Sequence, residues 1–195
     1  RRGARRARTR GRPGIAPRAR HAPGYPRLTR QLRILTYNIH KGYCSGNRRF
    51  VLEGMRALIA ETGADLVFLQ EIHGRHSGRA RHEGRYTYPD RPHFEYLADQ
   101  SWPHYAYGRN AIYRKGDHGN AILSKFPIGH VTAIDLTLPL KKVRSALHAR
   151  CRMRLGRTTR TVHLLDLHLG LAGLERKHQL RRLLQPIQRL LRVQA

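Results

Sequence analysis

Two short apolar runs with one amphipathic segment between them constrain this chain more than anything else in its sequence. Residues 32–37 (LRILTY) and 65–69 (DLVFL) are rich in strand formers and too short for helices, so each reads as a strand. Between them, residues 48–62 place Leu52, Met55, Leu58 and Ile59 on one helical face, and Gly63 supplies the stop. Strand, helix, strand predicts a β-α-β unit whose strands run parallel with a right-handed crossover. The carboxyl ends of two such strands lie side by side, and open α/β sheets place their ligands at that edge.

The rest of the chain adds more sheet. Residues 73–91 are rich in His, Arg and Gly and read as a long loop in which His73, His76 and His82 are solvated. Residues 92–101 predict a short helix, and residues 105–155 short strands broken by Gly and Pro. Residues 161–169 (TVHLLDLHL) predict a strand antiparallel to the one ending at Leu155, with GRTT as the hairpin turn. A last helix over 174–193 sets Leu180, Leu183, Leu184, Ile187, Leu190 and Leu191 on its apolar face, with a kink expected at Pro186. The class is α+β. Residues 1–30 hold eleven arginines, no acid and almost nothing to bury, so they are expected to form a disordered tail ahead of a domain at 31–195.

Period-two alternation locates the chemistry. Leu32, Ile34, Thr36 and Asn38 share one face of the first strand, and Asp65, Val67, Leu69 and Glu71 one face of the second. Each strand therefore ends on a polar residue, and Asn38 and Glu71 are expected to meet at the ligand edge. One carboxylate beside an amide oxygen suits Mg²⁺, which takes few protein ligands. On the late strand, Val162, Leu164, Asp166 and His168 alternate to one face, which brings His168 to the strand end, where it could hydrogen-bond a phosphate oxygen, stabilise developing charge, or simply be a half-buried strand histidine. His40 and Lys41 follow Asn38 after one residue, Ile39, and as loop residues could equally face the substrate phosphate or be ordinary surface groups.

Other chemistries are disfavoured. Thirteen histidines come with no HExxH and no Cys-x-x-Cys, Ser101 and Ser124 lack a nucleophile elbow, and no Walker or Rossmann glycine loop occurs. Cys44 and Cys151 make no disulfide framework. No apolar run approaches the ~20 residues that span a bilayer. The net charge of +27 suits a polyanionic substrate.

Four segments in order, TYNIHKG, DLVFLQEI, HGNAILSKFPI and LLDLHLGL followed by ER and QL, resemble the endonuclease/exonuclease/phosphatase superfamily across residues 32–192. The resemblance implies an αββα two-sheet sandwich of the DNase-I-like kind that hydrolyses phosphate esters with Mg²⁺, or with Mn²⁺ in its place. It implies that Glu71 is the metal ligand, that Asn38 positions the scissile phosphate or a metal-bound water, and that His168 contacts the phosphate. Asn120, Arg144 and His40 follow as substrate-binding residues. The superfamily's later G-D-x-N motif and its terminal S-D-H or D-H motif do not occur here; the last acid is Glu175 and the last histidine His178. The expectation is a fold incomplete at its C-terminus, about the first two-thirds of the domain, and a chain nearly inactive alone. Nucleic acid is the first-choice substrate, an anionic lipid headgroup or an inositol phosphate the next. A monomer in the cytoplasm is expected. The competing reading is a non-catalytic basic protein that holds nucleic acid through residues 1–30.

Overall fold

The computed structural model describes residues 27–28, 31–44, 46, 49–76, 88–114, 116–155 and 157–192. Its elements follow in the order β1 (Arg27–Leu28), β2 (Ile34–Asn38), α1 (Leu52–Glu61), β3 (Leu66–His76), α2 (His93–Ala98), β4 (His104–Tyr113), β5 (Gly116–Ser124), β6 (Ile128–Asp135), β7 (Ser145–Leu155), β8 (Thr158–Leu167) and α3 (Gly173–Arg192). The Arg-rich stretch expected to be a tail lies outside the described residues except for 27–28.

The β-α-β unit forms as the sequence predicts. β2 and β3 are parallel, with Ile34 opposite Leu66 and Asn38 opposite Gln70. β5 and β4 complete the first sheet in the order β2-β3-β5-β4. Its outer face packs on α1 and α2: Leu52, Met55, Ile59, Phe94 and Leu97 close over Val67, Leu69, Ile72 and Leu123. Leu58 was expected on that face and is instead 56% exposed. At about 100° per residue it lies roughly 90° from the centre of the buried stripe.

The second sheet is centred on β7, which pairs antiparallel with β6 and β8 and, at its last two residues, parallel with β1. Leu66, Ala106, Ile122, Phe126, Leu147, Ala149, Cys151, Met153 and Leu164 fill the space between the sheets. α3 covers the outer face of the second sheet, with Leu183 and Ile187 over Leu136, Ala146 and Leu165. Helices, sheet, sheet, helix is the αββα sandwich.

Several local expectations need correction. The predicted loop over 73–91 begins later, because β3 continues to His76, paired with Gly116 of β5. His73 is therefore not solvated but 4% exposed, packed against the rings of His76 and His93. His82 lies outside the described residues. The predicted helix over 92–101 is six residues long. The β7–β8 hairpin is tighter than GRTT, since Leu155 already pairs with Thr158. α3 runs through Pro186 as one element, and of its predicted apolar face Leu183 is buried while Leu180 and Leu184 are 44% and 54% exposed.

The Gly of GNAILS has a packing reason. A Cβ at Gly119 would collide with the Gly108 carbonyl and the Arg109 backbone of β4, atoms that yield only if the strand moves. Gly119→Ala is expected to lower the unfolding free energy by about 1–3 kcal/mol in a urea titration. A loss below about 0.5 kcal/mol, the size of an ordinary surface change, would contradict this account.

Candidate active site

Strict alternation would send Glu71 to the helix-covered side of the first sheet with Val67 and Leu69. The structure does otherwise. β3 pairs Leu69 with Ala121 and then Ile72 with Gly119, so β3 carries one extra residue at 70–71. Glu71 absorbs this bulge in the left-handed region, at φ 54°. The bulge lets Ile72 rejoin the outer core and turns Glu71 toward the sheet edge, where its side chain is 20% exposed.

The chain leaving β2 is also left-handed. His40, Lys41 and Gly42 have φ of 46°, 60° and 88° in succession. Asn38 Oδ1 accepts the His40 N–H at 3.1 Å, and the Gln70 carbonyl accepts the Ile39 N–H at 3.0 Å, which ties this turn to the bulge. Gly42 lies against Phe50 and Leu52 with no space for a Cβ. The turn brings His40 Nδ1 to 3.8 Å and Lys41 Nζ to 3.9 Å from Glu71 Oε2. Thr36 and Asn38, on the inter-sheet side of β2, stay exposed, and Ile34 is 58% exposed.

The second sheet contributes His168, one residue beyond β8, with Nε2 at 3.6 Å from Glu71 Oε1. Burial, and then the Arg144 charge, lower the His168 pKa from its ordinary value, while Glu71 opposes them. The turn after His168 is clasped by α3: Gln179 Oε1 accepts the Gly170 N–H at 2.8 Å, and Gln179 Nε2 donates to Glu175 Oε1 at 3.2 Å. This is what the ER and QL of the fourth segment do.

Arg144, immediately before β7, also reaches the site, since its charge acts on both His168 and His118. Its Nε is buried and has no hydrogen-bond partner among the described residues. Such an orphan donor suits an anionic oxygen. Asn120 differs from the other predicted site residues. It is fully buried, donating to the carbonyls of Ser145 and Asp166 at 3.3 and 3.2 Å and accepting from Asn110 at 3.2 Å. It joins the two sheets beneath the exposed cluster.

Two residues of this floor were not singled out from the sequence. Gln70 donates to Asp166 Oδ1 at 2.6 Å and to Thr36 Oγ1 at 3.3 Å, linking the sheets directly below Glu71. Asp166 is 1% exposed, its Oδ2 has no partner among the described residues, and burial pushes its pKa up to about 8. The signal was available: a glutamine alternating with Leu66 and Phe68, and an aspartate inside the apolar LLDLHL.

The Glu71 oxygens face His168, His40 and Lys41 at ion-pair distances of 3.6–3.9 Å, long enough to leave their lone pairs for a hard cation, and Asn38 lies at the same edge. No three His, Cys, Asp or Glu side chains converge as metal ligands among the described residues. One carboxylate and one amide oxygen fit Mg²⁺ or Mn²⁺ and do not fit structural zinc.

The profile of the Endonuclease/Exonuclease/phosphatase family matches residues 35–192. The chain belongs to this family. Members of the endonuclease/exonuclease/phosphatase family are hydrolases acting on phosphate esters and generally use divalent metal ions. The chain is 41% identical over 148 residues to the uncharacterized protein YbhP of Escherichia coli strain K12; the match covers 76% of this chain and 57% of YbhP. It therefore spans little more than half the length of that relative. An endonuclease/exonuclease/phosphatase from Beutenbergia cavernae shares the fold with a TM-score of 0.58 and 24% identity, over 77% of this chain and 42% of that one. D. rerio TDP2, solved with a single-strand DNA product, does so with a TM-score of 0.51 and 22% identity, over 80% and 54%. Among the described residues no helix is long and apolar enough to cross a membrane.

Proposed function

We propose that this chain carries the metal-binding and phosphate-binding part of a phosphodiesterase site, with nucleic acid as its substrate. The observation that carries the reading is the meeting of Glu71 from one sheet with His168 from the other at 3.6 Å, ringed by His40 and Lys41 and within the field of Arg144. One acid among four basic groups leaves an excess of positive charge after a divalent cation is neutralised in part by the acid. That excess suits a phosphate.

Glu71 and Asn38 would hold the cation, which when bound would supply positive charge beside a phosphoryl group. His168 and Arg144 donate to the nonbridging oxygens, where negative charge grows during hydrolysis. His40 and Lys41 steer the anion to the edge. Asn120, Gln70 and Asp166 act from below by fixing the distance between the sheets. The charge of +27 favours a polyanion such as nucleic acid over a single phosphate monoester.

No G-D-x-N motif occurs in these 195 residues, and their one Asp-His pair, Asp117–His118, lies on β5 ahead of the fourth segment. General acid–base assistance is worth about 10²–10⁴-fold, so hydrolysis by this chain is expected to be slow by that order. The test separates binding from turnover. Plasmid DNA, bis(p-nitrophenyl) phosphate, p-nitrophenyl phosphate and an inositol phosphate are incubated with the chain in Mg²⁺, in Mn²⁺ and in EDTA. Mn²⁺ binding is followed by electron paramagnetic resonance. The expected result is Mn²⁺ bound at one site and slow, EDTA-sensitive cleavage of the diesters ahead of the monoesters. Undiminished cleavage in EDTA, or no bound Mn²⁺, would overturn the reading. A preference for the inositol phosphate would move the substrate away from nucleic acid.

A further inference from the structure

A second cavity, of about 560 Å³, opens between the far ends of β3, β4 and β5. Its lining includes His76, Tyr88, His93, Tyr113, Arg75 and Arg114. It begins at Gly74, three residues beyond Glu71, which is roughly 10 Å along a strand. It is therefore next to the cluster around Glu71 and not part of it.

The walls are rings. His76 and Tyr113 have centroids 6.4 Å apart, and Tyr88 lies 6.1 Å from His76. His73 closes the inner side, 5.0 Å from His76 and 6.4 Å from Tyr113. Tyr113 is 37% exposed and its neighbour Ile112 59% exposed, an unusual amount of apolar surface at the mouth of a cavity in so charged a chain. Arg75 and Arg114 are exposed at the same mouth.

The cavity shares a wall with the catalytic edge. The His118 ring is 5.8 Å from Tyr113, and the charges of Lys41, Glu71, His168 and Arg144 all act on His118. A ligand with its phosphate at Glu71 and Arg144 can reach this cavity with an attached flat group. Ring faces beside guanidinium groups take planar π systems carried on an anionic backbone. A nucleotide has both parts; an inositol phosphate or a lipid headgroup has no flat face to offer.

We infer that this cavity is a stacking subsite for a nucleobase flanking the phosphate held at the Glu71 edge, with Tyr113 as the stacking surface. The inference rests on the phosphodiesterase reading for its substrate class. It makes Tyr113 a specificity residue, which rewards a substrate that carries a base.

The test compares adenosine 5′-monophosphate with ribose 5-phosphate, which lacks the base, by titration calorimetry on the full chain without added metal. Stacking predicts that the nucleotide binds about tenfold tighter or more. Tyr113→Ala brings the two ligands within about twofold, and Tyr113→Phe, which keeps the ring, keeps the preference. In the unmodified chain, the nucleotide shifts the ring-proton resonances of His76 and His118 upfield and ribose 5-phosphate does not. Equal affinities in the unmodified chain, a preference that survives Tyr113→Ala, or no nucleotide binding at millimolar concentration would overturn the inference. A base preference without EDTA-sensitive cleavage would leave this subsite standing and remove the phosphodiesterase reading. Cleavage without a base preference would do the reverse.

Discussion

Glu71→Gln is expected to weaken Mn²⁺ binding by about 100-fold or more and to reduce metal-dependent hydrolysis to background. Glutamine keeps the shape and one carbonyl oxygen but loses the charge, and the surroundings supply no substitute. The nearest ionisable groups, His40, Lys41 and His168 at 3.6–3.9 Å, are all basic. A second substitution separates this from damage to the fold. Glu71 sits at φ 54°, a region that costs a non-glycine residue about 1–2 kcal/mol. Glu71→Gly removes the ligand and that penalty together. It should abolish Mn²⁺ binding while leaving the urea midpoint unchanged or raised. A clear fall in the midpoint would mean that Glu71 holds the bulge for structural reasons. Mn²⁺ affinity unchanged in Glu71→Gln would remove the residue from the metal site.

The stability of the chain should pass through a maximum near pH 6.5. Two opposite sets of buried groups produce it. The carboxyl of Asp166, pushed by burial up to about 8, binds its proton more tightly folded than unfolded. Its contribution is full at low pH and is lost as pH rises through 8. His73, lowered by burial and by His93 to about 2, and His148, lowered by burial and by His163 to about 4, behave the other way. Their neutral rings stabilise the fold fully above pH 6.5, and that contribution is lost as pH falls. Each group changes the unfolding free energy by about 1.4 kcal/mol per pH unit within its window. Between pH 4 and 6.5 the two histidines outweigh the one carboxyl, and from 6.5 to 8 the carboxyl acts alone, lowering stability by about 2 kcal/mol. Asp166→Asn still accepts from Gln70, so it should flatten the alkaline limb and leave the acid limb in place. A wild-type curve flat from pH 6.5 to 8, or an alkaline limb that persists in Asp166→Asn, would contradict this assignment.

What the sequence made legible followed from periodicity and order. The parallel pair β2 and β3, the hairpin of β7 and β8 and the arrival of Asn38 at a strand end all rest on apolar spacing, which packing in the finished fold reinforces. Irregular backbone was not legible. Alternation is blind to an inserted residue, so the bulge at 70–71 changed which way Glu71 points without leaving a mark in the hydrophobic pattern. His73 misled because its neighbours 74–76 are Gly, Arg and His, a loop-like composition; the rings of His76 on the same strand, His93 of α2 and Tyr113 of β4 bury it in the folded chain. α3 misled in the opposite direction. Its leucine spacing is regular, but among the described residues Leu183 is buried on the second sheet and Ile187 partly so, while Leu180 and Leu184 face outward. The polar floor formed by Gln70, Asn120 and Asp166 lay in plain view as polar residues on apolar strands, yet only the contact across the sheets explains all three.

The left-handed backbone of His40, Lys41 and Glu71 has a thermal consequence. Three non-glycine residues in that region carry about 3–6 kcal/mol of strain, a large share of the net stability of a domain this size. The sandwich bears this load from outside the rim, through the Phe50 and Leu52 contacts at Gly42 and the pairing of β3 with β5. As those supports loosen on warming, the rim relaxes first. If Glu71 holds a cation, its affinity is expected to disappear at a lower temperature than the one at which the two sheets come apart, which Mn²⁺ binding followed through a thermal melt checks.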